Sequence, residues 1–369
     1  MDIKGDSFEV TFEPLAGFGL SNLLRITAQN KFNISPRYSP RILYSFFLST
    51  ILTPFRFKES IKYRKTIEKT SINEHPVFIV GHWRSGTTYL HNMLSLNHHY
   101  GYCSTYHTTV PSVFLSNEKF IKPIVAASLP QKRPQDDVPL GADLPQEEEY
   151  GIGALYPYAY YNGWCFPKNM RFYNQFVCLD GVPDDIVEKW KQTYLFLLKK
   201  ISLYNNEKRL ILKNPANTAR IKLLLDLFPD AQFVHIIRNP YEVYFSMMRF
   251  MDVIISKYCV QTPPQNILDE MMNLYIDIYD KYLSERGLIP EDNLIEISYE
   301  DLLQNPYETV NMVYNKFNLK KDSINQQQLE QFIKEQKKIK ISSYTMDEKI
   351  KDMIYKKWKK TFDAFGYTA

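Results

Sequence analysis

Residues 76 to 92 hold the pattern most suited to chemistry: an apolar run from Pro76 to Val80, a loop from Gly81 to Gly86, and a helix entered at Thr87. Gly81 and Gly86 stand at the G-x-x-x-x-G spacing of a phosphate-cradling loop. Thr87 and Thr88 follow where a triphosphate-binding loop carries lysine and then serine or threonine. That lysine reaches the outer phosphates and the next hydroxyl binds magnesium, so its replacement argues against a nucleoside triphosphate. What remains is a set of backbone N–H groups at a helix N-terminus, those of Ser85, Gly86, Thr87 and Thr88, with the charge of Arg84 beside them. Such a loop suits one phosphate.

Two further cations stand at strand ends. Lys213 closes the apolar run Arg209 to Lys213, and Arg238 follows the run Gln232 to Ile237. Ligands of parallel sheets bind beyond the carboxyl ends of the strands, so Arg84, Lys213 and Arg238 could gather around one anion. Asn239 and Pro240 start a helix after Arg238, and Ser246 on it adds a hydroxyl to the guanidinium for phosphate recognition. Glu147, Glu148 and Glu149 lie side by side in the segment Leu144 to Tyr150. Enclosed, adjacent carboxylates raise one another's pKa and suit a general base; in an open loop they are solvated charge. The competing bases are His82, His91, His98, His99 and His107, and no second ligand pair at an accepted spacing makes a metal site of them.

The elements that must position these residues read as α/β, a three-layer P-loop-like fold with a central parallel sheet flanked by helices. Strands are expected at Val77 to Val80, Arg209 to Lys213, Gln232 to Ile237 and Asn293 to Ile297, alternating with helices after Gly86, over Asp184 to Leu203 and over Thr218 to Phe228. Ser298 or Asp301 caps a helix that begins near Tyr299. Pro130 to Pro145 reads as loop, and Gly151 to Gly163 as aromatic and turn-rich. Residues 1–75 read as a helical extension packed on the core, with turns near Ser35-Pro36 and Ser39-Pro40 and a basic helix from Lys58 to Lys69; residues 76–369 form the catalytic domain.

Composition narrows the classes. Net charge is +4, with basic clusters at Lys337, Lys338, Lys340, Lys356, Lys357, Lys359 and Lys360 that read as solvated helix faces. No nucleic-acid-binding signature accompanies them, so nucleic acid is not an expected partner. Cys103, Cys165, Cys178 and Cys259 form no C-x-x-C pair, which points away from zinc and disulfides and toward a reducing compartment. Met1 to Ser7 lacks the start of a secretory signal, so the expected location is cytoplasmic. The apolar stretch Ile42 to Phe55 is too short to span a bilayer; its serines and threonines favour packing on the body over lying along a membrane surface as a peripheral contact.

Taken together, these segments resemble sulfotransferases that use 3′-phosphoadenosine 5′-phosphosulfate (PAPS), of the bacterial type related to the tyrosylprotein branch. Arg84 to Thr88 resembles the loop that cradles the 5′-phosphosulfate, and Phe233 to Pro240 with Ser246 resembles the 3′-phosphate site. Leu212 to Pro215 resembles the lysine-bearing strand end, and Ile297 to Leu302 the segment that encloses the adenine, with Tyr299 as its contact. The resemblance implies an enzyme with PAPS as co-substrate, no required metal, and a small-molecule hydroxyl acceptor. It implies catalytic roles for Glu147 or Glu148 as base and for Lys213 and Arg84 as charge-neutralising groups. Pro145 to Glu149, within Leu144 to Tyr150, is similar to a Pro-Gln-Glu-Asp-Glu segment of the bacterial relatives, with Glu148 in place of their Asp. Two departures stand out: Arg84 replaces the first-loop lysine of the cytosolic enzymes, and their late Arg-Lys-Gly motif is not visible. The aromatic segment Tyr156 to Trp164 suits a hydrophobic alcohol such as a sterol or lipid. The alternatives are a P-loop kinase or nucleotidase, and a non-catalytic protein that binds membrane surfaces or polyanions.

Overall fold

Val77–Val80 (β1) is a four-residue run of large apolar residues, all buried, and it pairs on both sides. With Ile211–Lys213 (β2), Gln232–Ile237 (β3) and Leu294–Ser298 (β4) it forms a four-stranded sheet of order β2-β1-β3-β4 in a computed structural model. This structure describes residues 13–136, 138–321, 323–336 and 347–368; Met1 to Ser7 and Lys337, Lys338 and Lys340 lie outside the described residues. Every pairing is parallel, with Ile79 opposite Lys213, Val80 opposite His235 and Ile237 opposite Ser298. All four carboxyl ends therefore share one edge. The chain leaves β1 toward β2 on one side and reaches β3 on the other, which creates the switch point where open α/β sheets bind ligands.

The chain forms two units. One contains the sheet and comprises Glu74–Tyr100, Arg209–Phe250 and the chain from Met271 on; the other comprises the chain up to Asn73, Gly101–Lys208 and Met251–Glu270. In the sheet unit both faces are covered. Val77, Ile79, Val234 and Ile236 pack on Leu90 and Leu94 of the Thr87–Ser95 helix and on Val313 of the Pro306–Lys316 helix. On the opposite face Phe78 meets Phe228 and Phe233, with ring centroids 6.0 and 5.6 Å apart, and His235 meets Tyr282 at 4.0 Å and Phe365 at 5.5 Å. Each fully buried large apolar side chain contributes about 1.5–3 kcal/mol, so the two faces together fix the sheet.

The other unit is helical among its described residues. Ser39–Lys69 is one continuous 31-residue helix. The turn expected at Ser39-Pro40 is instead its first turn, where proline's missing N–H costs nothing. It buries Ile42, Ser45 and Ser49 on one face, and Lys200 of the Asp184–Tyr204 helix pairs with its Glu59 at 2.6 Å. Gly151 to Gly163 joins the end of one helix, Glu148–Leu155, to the start of another, Asn162–Cys165, with the expected turns between them. Its glycines serve packing: a Cβ on Gly151 would stand 2.8 Å from the Leu197 side chain, and one on Gly153 2.8 Å from Asn162 Oδ1. Among the described residues no helix is long and apolar enough to cross a membrane.

Candidate active site

The loop after β1 is held in a conformation that few residues tolerate. Gly81 has φ +138°, and a Cβ there would come within 2.6 Å of the Ile236 carbonyl oxygen on β3. Its N–H donates to Thr218 Oγ1 at 2.8 Å, which ties the loop to the segment following β2. Gly86 has φ +91°, and its Cβ would stand 2.5 Å from the Tyr299 ring at the end of β4. Arg84, between the two, adopts φ +72°, a left-handed conformation that costs a non-glycine residue about 1–3 kcal/mol and that recurs where a binding loop is shaped. The helix Thr87–Ser95 then starts directly from Gly86, so the loop's N–H groups gather at a helix N-terminus.

Around this loop the predicted residues of the sheet unit converge. Arg84 Nε donates to Ser246 Oγ at 2.9 Å, and its guanidinium lies 5.8 Å from the Phe250 ring centroid. Arg238, immediately past β3, donates from Nη1 to the Arg84 carbonyl oxygen and from Nη2 to Glu242 Oε2 at 3.5 Å. Its guanidinium carbon sits 4.2 Å from the centre of the Tyr299 ring. Arg238 Nε is buried with no hydrogen-bond partner among the described residues. A buried charged donor left in this state costs several kcal/mol unless an acceptor arrives, so it fits an incoming anion. Lys213, almost wholly buried, ends β2 on the same edge, and its charge helps depress the neighbouring His91.

The histidines are held by packing. His91 donates from Nε2 to the Ile211 carbonyl (3.1 Å), and burial, then Lys213, push its pKa down to about 3. His82 packs on Tyr275 at 4.8 Å, and burial holds it at about 4. His107 caps its own helix with Ser104 and is likewise lowered to about 3 by burial, with Lys122 and Lys200 adding to it. Imidazoles so depressed are weak proton acceptors. His98 is exposed, and His99 donates its backbone N–H to Asn97 Oδ1.

Glu147 and Glu148 belong to the other unit, where the acidic segment is not a solvated loop. Glu147 is the residue before the Glu148–Leu155 helix, is 8% exposed, and accepts from the Tyr161 hydroxyl. Tyr161 stacks on Trp164 at 3.9 Å and meets Tyr150 at 4.4 Å, and Tyr150 meets Tyr258 at 6.4 Å, so the residue bonded to the carboxylate belongs to an aromatic cluster, and Arg133 feels the Glu147 charge as well. Burial, then Tyr258 and the Glu147 charge, raise the Tyr150 hydroxyl well above its ordinary pKa. Glu148 accepts from the Tyr194 hydroxyl at 3.2 Å, and Glu149 from the Tyr160 N–H at 3.2 Å.

Sequence reasoning missed Thr218, which fixes Gly81, and Arg220, a buried cation bonded to Asn217 Oδ1 at 3.2 Å; both follow the Lys213 motif closely but carry no pattern of their own. It also missed Tyr161 as the partner of Glu147, although the residue lies in the aromatic segment already marked. Among the described residues the one grouping with metal-ligand proximity, Glu74, His75 and Asp230, is exposed and precedes β1 and β3, at the edge opposite the cations.

Comparison with known proteins extends the resemblance. Residues 76–323 match the family model described as the sulfotransferase family. The chain is 30% identical over 356 residues to the omega-hydroxy-beta-dihydromenaquinone-9 sulfotransferases Stf3 of Mycobacterium bovis and of Mycobacterium tuberculosis, covering 95% of this chain and 90% of each relative. Sulfotransferase STF1 from Mycobacterium tuberculosis superposes with a TM-score of 0.65 at 17% identity, over 92% of this chain and 90% of that one. STF9 from Mycobacterium avium does so with a TM-score of 0.67 at 14% identity, over 95% and 97%. At those identities the structural likeness is one of fold.

Proposed function

Because the chain belongs to the sulfotransferase family, enzymes with PAPS as co-substrate, we propose that it sulfates the hydroxyl of a hydrophobic alcohol of lipid type, with Glu147 as general base. PAPS, when bound, supplies the sulfuryl group and leaves as the 3′,5′-bisphosphate. The observation that carries the reading of the base is the burial of Glu147 and its bond to Tyr161, which belongs to an aromatic cluster with Tyr150 and Trp164. A buried carboxylate that accepts from the Tyr161 hydroxyl can take the proton of an acceptor alcohol, and flat aromatic walls favour an apolar acceptor.

The remaining roles follow from the carboxyl edge of the sheet. The N–H groups of Ser85, Gly86, Thr87 and Thr88 hold the 5′-phosphate, in the manner of a P-loop without its lysine. Arg238, through its buried Nε, and Ser246 take the 3′-phosphate, and Tyr299 packs on the adenine. Lys213 and Arg84 offset charge that grows on the oxygens of the transferring group, each worth on the order of 3 kcal/mol. Glu148, bonded to Tyr194, stands behind Glu147 as the alternative base. No step in this scheme calls for a metal ion.

The choice of acceptor rests on the aromatic cluster and on the relatives whose name identifies an omega-hydroxy menaquinone derivative, a hydroxyl on a long apolar chain, as substrate. Incubation with sulfur-labelled PAPS and a panel of a long-chain prenyl alcohol, a sterol, a tyrosine peptide and a sugar tests it. Label on the prenyl alcohol or sterol is expected; label on the sugar or peptide alone would overturn the acceptor class.

A further inference from the structure

The helix Ser39–Lys69 exposes an apolar stripe that nothing in the proposed reaction uses. Leu43, Phe47, Ile51, Phe57 and Ile61 are each between 45% and 70% exposed. At about 100° per residue they occupy one arc of roughly 120°, and at 1.5 Å per residue the stripe runs about 27 Å. The expected packing of the Ile42 to Phe55 stretch is thus half of the outcome: one face is buried through Ile42, Ser45 and Ser49, and the opposite face is bare. A second bare face adjoins it. The Glu118–Ser128 helix exposes Phe120 and Ile124, at 63% and 56%, and Phe120 stacks on Phe55 at 6.3 Å, which joins the two helices.

The charges beside the stripe are mostly positive. Lys58, Lys62, Arg64 and Lys65 are exposed, and Lys119 next to Phe120 is exposed as well. Glu59 is buried and paired with Lys200; Glu68 is exposed and pairs with Arg64 at 3.0 Å, and Glu118 on the second helix pairs with Lys122 at 3.0 Å, which leaves Lys58, Lys62 and Lys65 as the excess charge. Two exposed apolar faces whose margin carries more basic than acidic side chains, with the acids Glu68 and Glu118 each paired to a cation, match the boundary between the headgroups and acyl chains of an anionic bilayer, where apolar side chains insert and lysines reach phosphates. A protein surface would meet the same stripe, but it gives no reason for the excess of positive charge along it.

We propose that the exposed faces of Ser39–Lys69 and Glu118–Ser128 form a docking surface for anionic lipid membranes. The docking does not depend on the transferase reading, because it needs neither PAPS nor the strand-end cations. It would bring the enzyme to the phase in which a lipid alcohol dissolves.

Flotation of the full chain, without PAPS, on vesicles of phosphatidylcholine with and without phosphatidylglycerol tests it. Binding to the anionic vesicles is expected, falling by at least about tenfold in a Phe47→Asp/Ile51→Asp variant and losing most of its salt sensitivity in Lys58→Ser/Lys62→Ser. Both pairs are solvent-facing, so the variants should melt as the parent does and bind 3′-phosphoadenosine 5′-phosphate equally well. Absence of binding to anionic vesicles at low salt, or equal binding by parent and variants, would overturn the proposal. So would a dimer that Phe47→Asp/Ile51→Asp dissociates while vesicles go unbound, since the stripe would then face a second copy.

Discussion

Arg84 and Ser246 are hydrogen-bonded, Nε to Oγ at 2.9 Å, although one follows β1 and the other lies on the Pro240–Tyr258 helix after β3. The sequence motifs assign the two residues to different phosphates of the same ligand. Under the proposed assignment their contact would join the two phosphate subsites in one network, in which Arg238 also takes part through the Arg84 carbonyl.

Removing the hydroxyl should therefore be felt at both subsites. A hydrogen bond to a charged group is worth about 1.5–3 kcal/mol, so Ser246→Ala should weaken binding of 3′-phosphoadenosine 5′-phosphate by about tenfold or more. Arg238→Ala, which removes a guanidinium with a buried open donor, should weaken it further. Calorimetry with the bisphosphate reads both, and unchanged affinity in Arg238→Ala would refute the assignment of that residue.

Gly86 bears two independent constraints, its φ of +91° and the Tyr299 ring against its α-carbon. Gly86→Ala should destabilise the protein by about 1–3 kcal/mol in urea unfolding. Adding Tyr299→Ala should recover the steric part of the loss and leave the backbone part. A Gly86→Ala protein as stable as the parent would mean that the loop can relax away from Tyr299.

Stability should fall on mild acidification. His82, His91 and His107 have pKa values of about 4, 3 and 3 in the fold, against 6.5 in an unfolded chain. Between pH 6.5 and 4 the unfolded chain binds protons on these imidazoles that the folded chain does not. Stability therefore rises with pH across that window and is lost as pH falls, by about 1.4 kcal/mol per pH unit for each group. Urea midpoints at a series of pH values measure the slope. His91→Gln, which can still donate to the Ile211 carbonyl, should reduce it by about one group's share; an unchanged slope would remove His91 from the account.

Much of the sheet was legible in the sequence because parallel strands covered on both faces are short, continuous apolar runs. Val77–Val80 and Gln232–Ile237 lie where that pattern puts them. Cations at strand ends were legible for the same reason, since a strand's end fixes which edge its next residue meets. The acidic segment was harder. Gly151 and Gly153 read as turn residues, yet they sit in a helix to let Leu197 and Asn162 approach, a requirement set by partners distant in sequence. Tyr161 as the partner of Glu147, and Thr218 as the partner of Gly81, are likewise products of tertiary packing with no local signature. The exposed half of the Ser39–Lys69 helix was hidden because Ser45 and Ser49 lie on its buried face, which makes the stretch look diluted rather than two-sided.

The central claim, sulfuryl transfer with Glu147 as base and Lys213 as charge partner, is tested most directly by single-turnover transfer from saturating labelled PAPS to a long-chain prenyl alcohol. Glu147→Gln should slow the transfer by about 10²- to 10⁴-fold and Lys213→Ala by about 10²-fold, with bisphosphate affinity in Glu147→Gln within a few-fold of the parent. A Glu147→Gln enzyme that transfers sulfate at the parental rate would contradict the account.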